Sequence, residues 1–182
     1  MPKPITPDVV VAYSLCPRKA YLLLCTEEHG TPHEFQRIVD AAQRRNQASS
    51  LNLNGLTQEH GDHSHCRETH SRPTPGNRSA AVLKTPDCEA YCDRLTPALG
   101  RTAGRGRRYE PTLVTGTHRI TQDQRLAILF VGYVLGQVQS APPSLGSILG
   151  LDGKVRKVSL DGRRYAELRG IPTPSASGYK RR

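Results

Sequence analysis

The sequence predicts an α/β or α+β domain with N-terminal helices, a small mixed sheet and one buried helix. Two observations support this fold class: the run 126–138 is almost entirely apolar, and short strand-like segments lie on both sides of it. A helix that is apolar nearly all round is usually buried between layers. With 182 residues, 36% of them hydrophobic, the chain suffices for one domain with a modest core.

Residues 1–47 are predicted to be helical. Thr6, Pro7 and Asp8 combine a capping side chain, a proline that fits the first helical turn and an acid near the positive helix end. Pro17 either ends this helix or begins the next one, because proline has no backbone N–H to donate.

A further helix is predicted after Thr31 and Glu34, which form a capping box. Apolar residues follow at helical spacing, with arginines elsewhere on the surface: Phe35, Ile38, Val39 and Ala42, and Arg37, Arg44 and Arg45. The stretch 48–80 is polar, so it cannot offset the entropy of ordering and is predicted to be a flexible insertion. A short helix is predicted from Thr85 to Leu95.

The C-terminal third is predicted to contain three strands around the buried helix. Residues 109–114 suit a short strand, and a capping box at Thr121 and Gln124 begins the helix. Segments 147–151 and 154–160 predict two strands around Asp152-Gly153, a pair favoured in tight hairpins.

The charge of the chain favours a polyanionic partner. Lys and Arg outnumber Asp and Glu by 26 to 16, a net charge of +10, which favours nucleic acid or an acidic surface. The alternative is a soluble protein with basic tails. No apolar run is long enough to span a membrane, and the start of the chain does not resemble a signal peptide. Five cysteines, an odd number, favour reduced thiols or metal ligands in a cytoplasm.

Two groups of metal-ligand residues have open interpretations. One is a histidine-rich stretch that either binds zinc or is simply solvated: His60, His63, His65, Cys66 and His70. The other is Cys88 and Cys92, which stand four apart on the helix predicted there. They either hold one metal or redox pair, or are ordinary helix cysteines.

The segment Cys16-Pro17-Arg18-Lys19-Ala20-Tyr21-Leu22 resembles the opening of RecB-like nucleases of the PD-(D/E)XK superfamily, including those of CRISPR adaptation. The resemblance implies that Cys16 is the first of four thiolate ligands of a 4Fe-4S cluster. The other three ligands belong to a C-terminal segment of the family. No cysteine follows Cys92 here, so the ligand set is incomplete.

Two acidic segments extend the resemblance. Cys92-Asp93-Arg94-Leu95 and Tyr109-Glu110-Pro111 are similar to the acidic segments of the nuclease core. The resemblance implies that Asp93 and Glu110 are catalytic and hold Mg²⁺ or Mn²⁺. The alternative is that both are surface acids beside packed elements.

The catalytic lysine of the family is not found after Glu110, and the Gln-x-x-x-Tyr helix motif keeps Tyr133 but has Leu129 in place of Gln. The resemblance therefore implies an incomplete restriction-endonuclease-like core with severely weakened hydrolysis. A partner subunit could supply the missing lysine and cysteines.

The sequence thus predicts four parts: a helical segment at 1–47, the insertion at 48–80, a partial nuclease-like core at 81–160 and a disordered basic tail at 161–182. The expected function is that of a degenerate or partial RecB-like nuclease domain that retains affinity for the DNA backbone. The alternatives are a non-catalytic DNA- or metal-binding accessory protein, or a decayed open reading frame. Seven basic residues are the candidate phosphate contacts: Arg101, Arg105, Arg107, Arg108, Lys154, Arg156 and Lys157.

Overall fold

The computed structural model describes residues 3–26, 30–31, 33–52, 78–98, 108–166 and 168. In this part of the chain, helices and strands follow in the order α1 (Pro7–Leu15), α2 (Pro17–Cys25), α3 (Glu34–Asn52), β1 (Arg78–Lys84), β2 (Glu89–Pro97), β3 (Tyr109–Val114), α4 (Gln122–Val138), β4 (Leu145–Leu149), β5 (Val155–Ser159) and α5 (Gly162–Ala166). The predicted fold class is confirmed: N-terminal helices accompany a mixed sheet and a buried helix.

The five strands form one sheet in the order β1-β2-β3-β4-β5. Neighbouring strands are antiparallel except for β3 and β4, which are parallel because α4 crosses between them. The predicted hairpin is confirmed, since β4 and β5 pair on either side of Asp152-Gly153, and Gly153 has the positive φ of 70° that its turn requires. The edges of the sheet are β1 and β5.

Helix α4 forms the centre of the core, as the apolar run predicted. Ile128, Val131 and Val134 are fully buried, and the helix contacts the first four strands as well as α1 and α5. Its predicted capping box is confirmed. Thr121 Oγ1 accepts from the backbone N–H of Gln124 at 3.2 Å, and Gln124 Oε1 accepts from the backbone N–H of Thr121 at 3.0 Å. No helix in the described ranges has the length and apolarity needed to cross a membrane.

Each of the first two helices begins at a proline. Helix α1 begins at Pro7, although the Thr6 side chain makes no capping hydrogen bond. Of the two alternatives for Pro17, the structure shows the second: α1 ends at Leu15, and Pro17 is the first residue of α2. Ile5 joins the start of the chain to the sheet: its N–H donates to Asp87 O, and its carbonyl accepts from Glu89 N, both at 2.9 Å.

The helix predicted between Thr85 and Leu95 is wrong, because this segment forms a turn followed by β2. Thr85 Oγ1 accepts from the backbone N–H of Cys88 at 3.1 Å, so the side chain that suggested a helix cap closes a turn instead. Pairing with β1 and β3 on both sides then fixes the strand. Cys88 and Cys92 are consequently not helix cysteines, and both are buried.

Helix α3 is confirmed as a helix, but its start, end and buried face differ from the prediction. It begins at Glu34, where His33 Nδ1 accepts from the backbone N–H of Phe35 at 3.2 Å, so Thr31 is not its cap. It ends at Asn52, beyond the predicted limit of residue 47. Phe35 and Ile38 are 67% and 59% exposed, and the side chains of Asn46 and Gln47 hydrogen-bond to Thr115 and Asp93.

The predicted disordered tail is wrong for its first residues. Helix α5 occupies Gly162–Ala166, and Leu168 is buried beside the core. Tyr165 of this helix packs near Tyr133 of α4, with ring centroids 6.4 Å apart. The rest of the tail, most of the 48–80 insertion and the histidine-rich stretch 60–70 lie outside the described residues.

Candidate nucleic-acid interface

A cleft of about 400 Å³ lies between the first turns of α4, the loop that precedes them and the edge strand β5. Four basic residues line it: Arg119, Arg125, Arg156 and Lys157. Aliphatic side chains also line it: Ile120, Leu126, Leu129 and Val158. No Asp or Glu belongs to the lining among the residues that the structure describes.

The strand register explains how β5 contributes to this cleft. Val158 pairs with Gly146, and a Cβ atom at position 146 would lie 2.8 Å from Ile128 Cγ1 of α4. This face of the hairpin is therefore turned towards α4. Arg156 lies two residues from Val158 and shares its face, because side chains alternate along a strand. Its guanidinium group contacts Asp152 in the β4–β5 turn.

Thr117 joins the two walls of the cleft. Its carbonyl accepts from the backbone N–H of Leu151 at 3.0 Å, which ties the loop before α4 to the β4–β5 turn. Its hydroxyl accepts from Gln124 Nε2 at 2.9 Å, which ties the same loop to the first turn of α4. These hydrogen bonds fix the loop that carries Arg119 relative to the turn that precedes Arg156.

The electrostatics of the cleft favour anions. The cleft lies at the N-terminal end of α4, where unpaired backbone N–H groups carry partial positive charge. Asp152 neutralises part of the charge of Arg156, since its carboxylate lies 2.7 Å from Arg156 Nη2. Hydrogen bonding from Arg156 holds the pKa of Asp152 well below its ordinary value, and the same contact raises the pKa of Arg156. The other three basic groups make no ion pair within the described residues.

The predicted phosphate contacts divide into three groups. Arg156 and Lys157 line the cleft, and Lys154 is exposed at the turn beside it. Arg108 is exposed at the opposite end of β3 from the loop that carries Arg119, so it does not belong to this surface. Three others lie outside the described residues: Arg101, Arg105 and Arg107.

Sequence reasoning missed Arg119 and Arg125. Both are close in sequence to the capping box at Thr121, which was predicted correctly. Basic residues are uncommon beside a helix N-terminus, because the helix dipole disfavours positive charge there. The position of these two arginines beside the capping box was therefore the signal in the sequence.

The role of Asp93 and Glu110 as a catalytic, metal-holding pair stays a prediction, but the strand register does not place the two residues opposite one another. Glu110 pairs with Thr96, three residues along β2 from Asp93. Residues three apart on a strand point to opposite faces and are about 10 Å apart along it. Thr96 and Glu110 are both half-buried, whereas Asp93 is buried.

Asp93 has a structural role instead. Its carboxylate accepts from the backbone N–H of Val114 and from Gln47 Nε2, each at 2.7 Å. Burial raises the pKa of Asp93, and the two hydrogen bonds oppose that rise. The alternative of a surface acid is also excluded for this residue, which is 9% exposed.

The four cysteines that the structure describes do not form an iron–sulfur site. Cys16 is exposed at the junction of α1 and α2, and Cys25 is exposed about 13 Å further along the helix axis. Cys92 is fully buried, burial raises its pKa to about 12, and its Sγ lies 3.0 Å from the carbonyl oxygen of Arg94 and 3.5 Å from that of Thr112. Among described residues, no three His, Cys, Asp or Glu side chains are grouped to hold a metal ion.

Comparison with known proteins adds no relative: no family model matches the sequence, and no curated protein matches it.

Proposed function

We propose that this chain is a DNA-binding domain that holds the sugar-phosphate backbone in the cationic cleft, on an incomplete RecB-like nuclease core. The cleft with its four basic side chains is the observation that carries the proposal. Arginine matches phosphate oxygens with paired N–H donors, and lysine adds a compact point charge. Contacts of this kind fix position on the backbone without reading sequence.

The nuclease ancestry is supported by the order of elements. A strand at Tyr109–Val114, a buried helix and two further strands follow in the order that the resemblance leads one to expect. Binding rather than cleavage is the activity we assign, because Asp93 is engaged by Gln47 and Val114 and is separated from Glu110. The cytoplasm is the compartment proposed, since all four cysteines described are free thiols.

Equilibrium binding to a fluorescently labelled DNA duplex at several salt concentrations tests the proposal. If the four basic side chains each neutralise one phosphate, the slope of log affinity against log salt should be about −3.6. Unlabelled duplexes of unrelated sequence should compete equally well, because backbone contacts carry no sequence information.

A paired substitution localises the interface. Arg119→Gln with Arg125→Gln should weaken binding more than tenfold at physiological salt, on the order expected for losing two phosphate contacts. Arg44→Gln with Arg45→Gln removes the same charge from exposed positions on α3 and should change affinity much less. Equal losses in the two variants would show that net charge, and not the cleft, provides the affinity.

A further inference from the structure

Asp152 and Arg156 form a fixed pair at the rim of the cleft. The carboxylate of Asp152 accepts three hydrogen bonds: from Arg156 Nη1 at 3.0 Å, from Arg156 Nη2 at 2.7 Å and from the backbone N–H of Lys154 at 3.1 Å. Both oxygens are thus occupied. The bidentate contact fixes the plane of the guanidinium group as well as its position.

Gly150 provides the space in which this pair lies. A Cβ atom at position 150 would be 2.7 Å from Arg156 Nη1 and 2.7 Å from Asp152 Oδ1. The same glycine closes the turn through its N–H, which donates to the carbonyl of Lys154 at 3.1 Å. The backbone of the turn therefore supports the guanidinium group directly.

The remaining donors of Arg156 are the ones that a phosphate can use. A guanidinium group has five N–H donors in a planar fork. Two donate to Asp152, and Nη1 also lies 3.4 Å from the carbonyl oxygen of Lys154. This leaves Nε–H and the second Nη2–H, which point along one edge and have no acceptor in the described part of the chain. Two parallel donors on one edge match two oxygens of a phosphate.

We infer that Asp152 is a positioning residue, which fixes Arg156 so that its Nε–Nη2 edge is available to a phosphate in the cleft. The inference rests on the proposed DNA-binding function. It assigns Asp152 a favourable effect on binding, whereas its charge alone would suggest an unfavourable one. An acid beside a phosphate site repels the ligand, so simple electrostatics predicts that removing Asp152 strengthens binding. Fixing Arg156 in advance removes the entropy cost of ordering it on binding, and this favours the ligand.

The sign of the effect of Asp152→Asn decides between these two roles. Asparagine keeps an acceptor for the N–H of Lys154 but loses the charged bidentate contact. Affinity for the DNA duplex should fall about threefold to tenfold, the range expected for ordering one long side chain, although the net charge rises by one. Asp123→Asn, at an exposed position in the first turn of α4, makes the same charge change and should bind equally or more tightly. Equal or tighter binding by Asp152→Asn would overturn the inference.

A double-substitution cycle excludes a purely structural effect. In an Arg156→Gln background, Asp152→Asn should no longer weaken binding, because its action passes through Arg156. Continued weakening there would mean that Asp152 supports the fold of the turn, and the inference would fail. If the unaltered protein shows no salt-dependent binding to DNA, the proposed function and this inference both fail. If it binds but Asp152→Asn is not weaker, only the inference fails.

Discussion

Gln47 donates from Nε2 to the carboxylate of Asp93 across 2.7 Å, and this contact joins helix α3 to the sheet. The same carboxylate accepts from the backbone N–H of Val114. A side chain expected to hold a metal ion therefore holds two protein donors. Replacing Asp93 should therefore lower the stability of the folded protein.

Asp93→Ala should lower the free energy of unfolding by about 2–4 kcal/mol, because it leaves two donors without their acceptor. Asp93→Asn should cost less, since the Gln47 amide can rotate to present its oxygen to the new amide. Urea denaturation measures both, with Glu110→Ala as the matched control. The Glu110 carboxylate has no hydrogen-bond or ion-pair partner among the described residues, so this change should cost within about 0.5 kcal/mol. Similar losses for both alanine variants would contradict the structural role of Asp93.

The pH dependence of stability should also depend on Asp93. Its folded-state pKa is raised above the ordinary value of 3.8, chiefly by burial. A raised folded pKa means that the carboxyl contribution is greatest below the unfolded value and is lost as pH rises through the folded value. The unaltered protein should therefore gain stability relative to Asp93→Asn as the pH falls from 7 to 4. Urea midpoints of the two proteins at both pH values measure this; a constant difference would show that burial leaves the pKa unchanged.

Gly116→Ala should separate α3 from the loop after β3. A Cβ atom there would collide with the carbonyl oxygen of Val39 and lie 2.7 Å from the backbone nitrogen of Gln43. Overpacking against backbone of this kind costs about 1–3 kcal/mol. Gly162→Ala is the control, because its Cβ would meet no atom within 4 Å. Equal unfolding midpoints for the two variants would show that α3 can shift away freely.

Asn46→Asp should destabilise the protein more than Asn46→Ala. Asn46 Nδ2 donates to the carbonyl oxygens of Thr115 and Gly150, at 2.8 and 3.2 Å, and so joins the ends of β3 and β4. Alanine removes both hydrogen bonds, at a cost of about 1–2 kcal/mol, although the Gly150 carbonyl keeps the N–H of Gly153 as a donor. Aspartate places a carboxylate against two carbonyl oxygens, which adds repulsion. Thermal unfolding at neutral pH ranks the variants, and the reverse order would be inconsistent with the donor role of Asn46.

The number of phosphate contacts can be counted one residue at a time. Arg125→Gln should weaken DNA binding and reduce the magnitude of the salt slope by about 0.9, the value for one phosphate contact. Arg37→Gln, on the exposed surface of α3, should leave the slope unchanged. Fluorescence anisotropy titrations across a salt series give both slopes. An unchanged slope for Arg125→Gln would remove this residue from the interface.

Local signals in the sequence predicted the elements that depend on neighbouring residues. The capping box at Thr121 and Gln124 and the turn at Asp152-Gly153 need only three or four residues, and both were correct. The signal at Thr85 is equally local, but it closes a turn, because pairing of β2 with strands distant in sequence decides the conformation that follows.

The candidate site was predictable only in part. Arg156 and Lys157 stand out as a basic pair on a predicted strand, whereas Arg119 joins them only when the loop after β3 folds onto the β4–β5 turn. The separation of Asp93 from Glu110 is a matter of strand register, which no local pattern specifies. The burial of α3 was predicted only in part: Val39 and Ala42 are half-buried, whereas Phe35 and Ile38 are exposed and Asn46 and Gln47 contact the sheet and the loops at its edge.

The edge position of β5 gives its basic side chains a second consequence. An edge strand offers unpaired backbone groups to any other chain, and Val155 on this strand is 59% exposed. Charged residues on such a strand oppose self-association, because a second copy would bring like charges together. Neutralising Arg156 and Lys157 together should therefore promote oligomers or aggregates at high protein concentration.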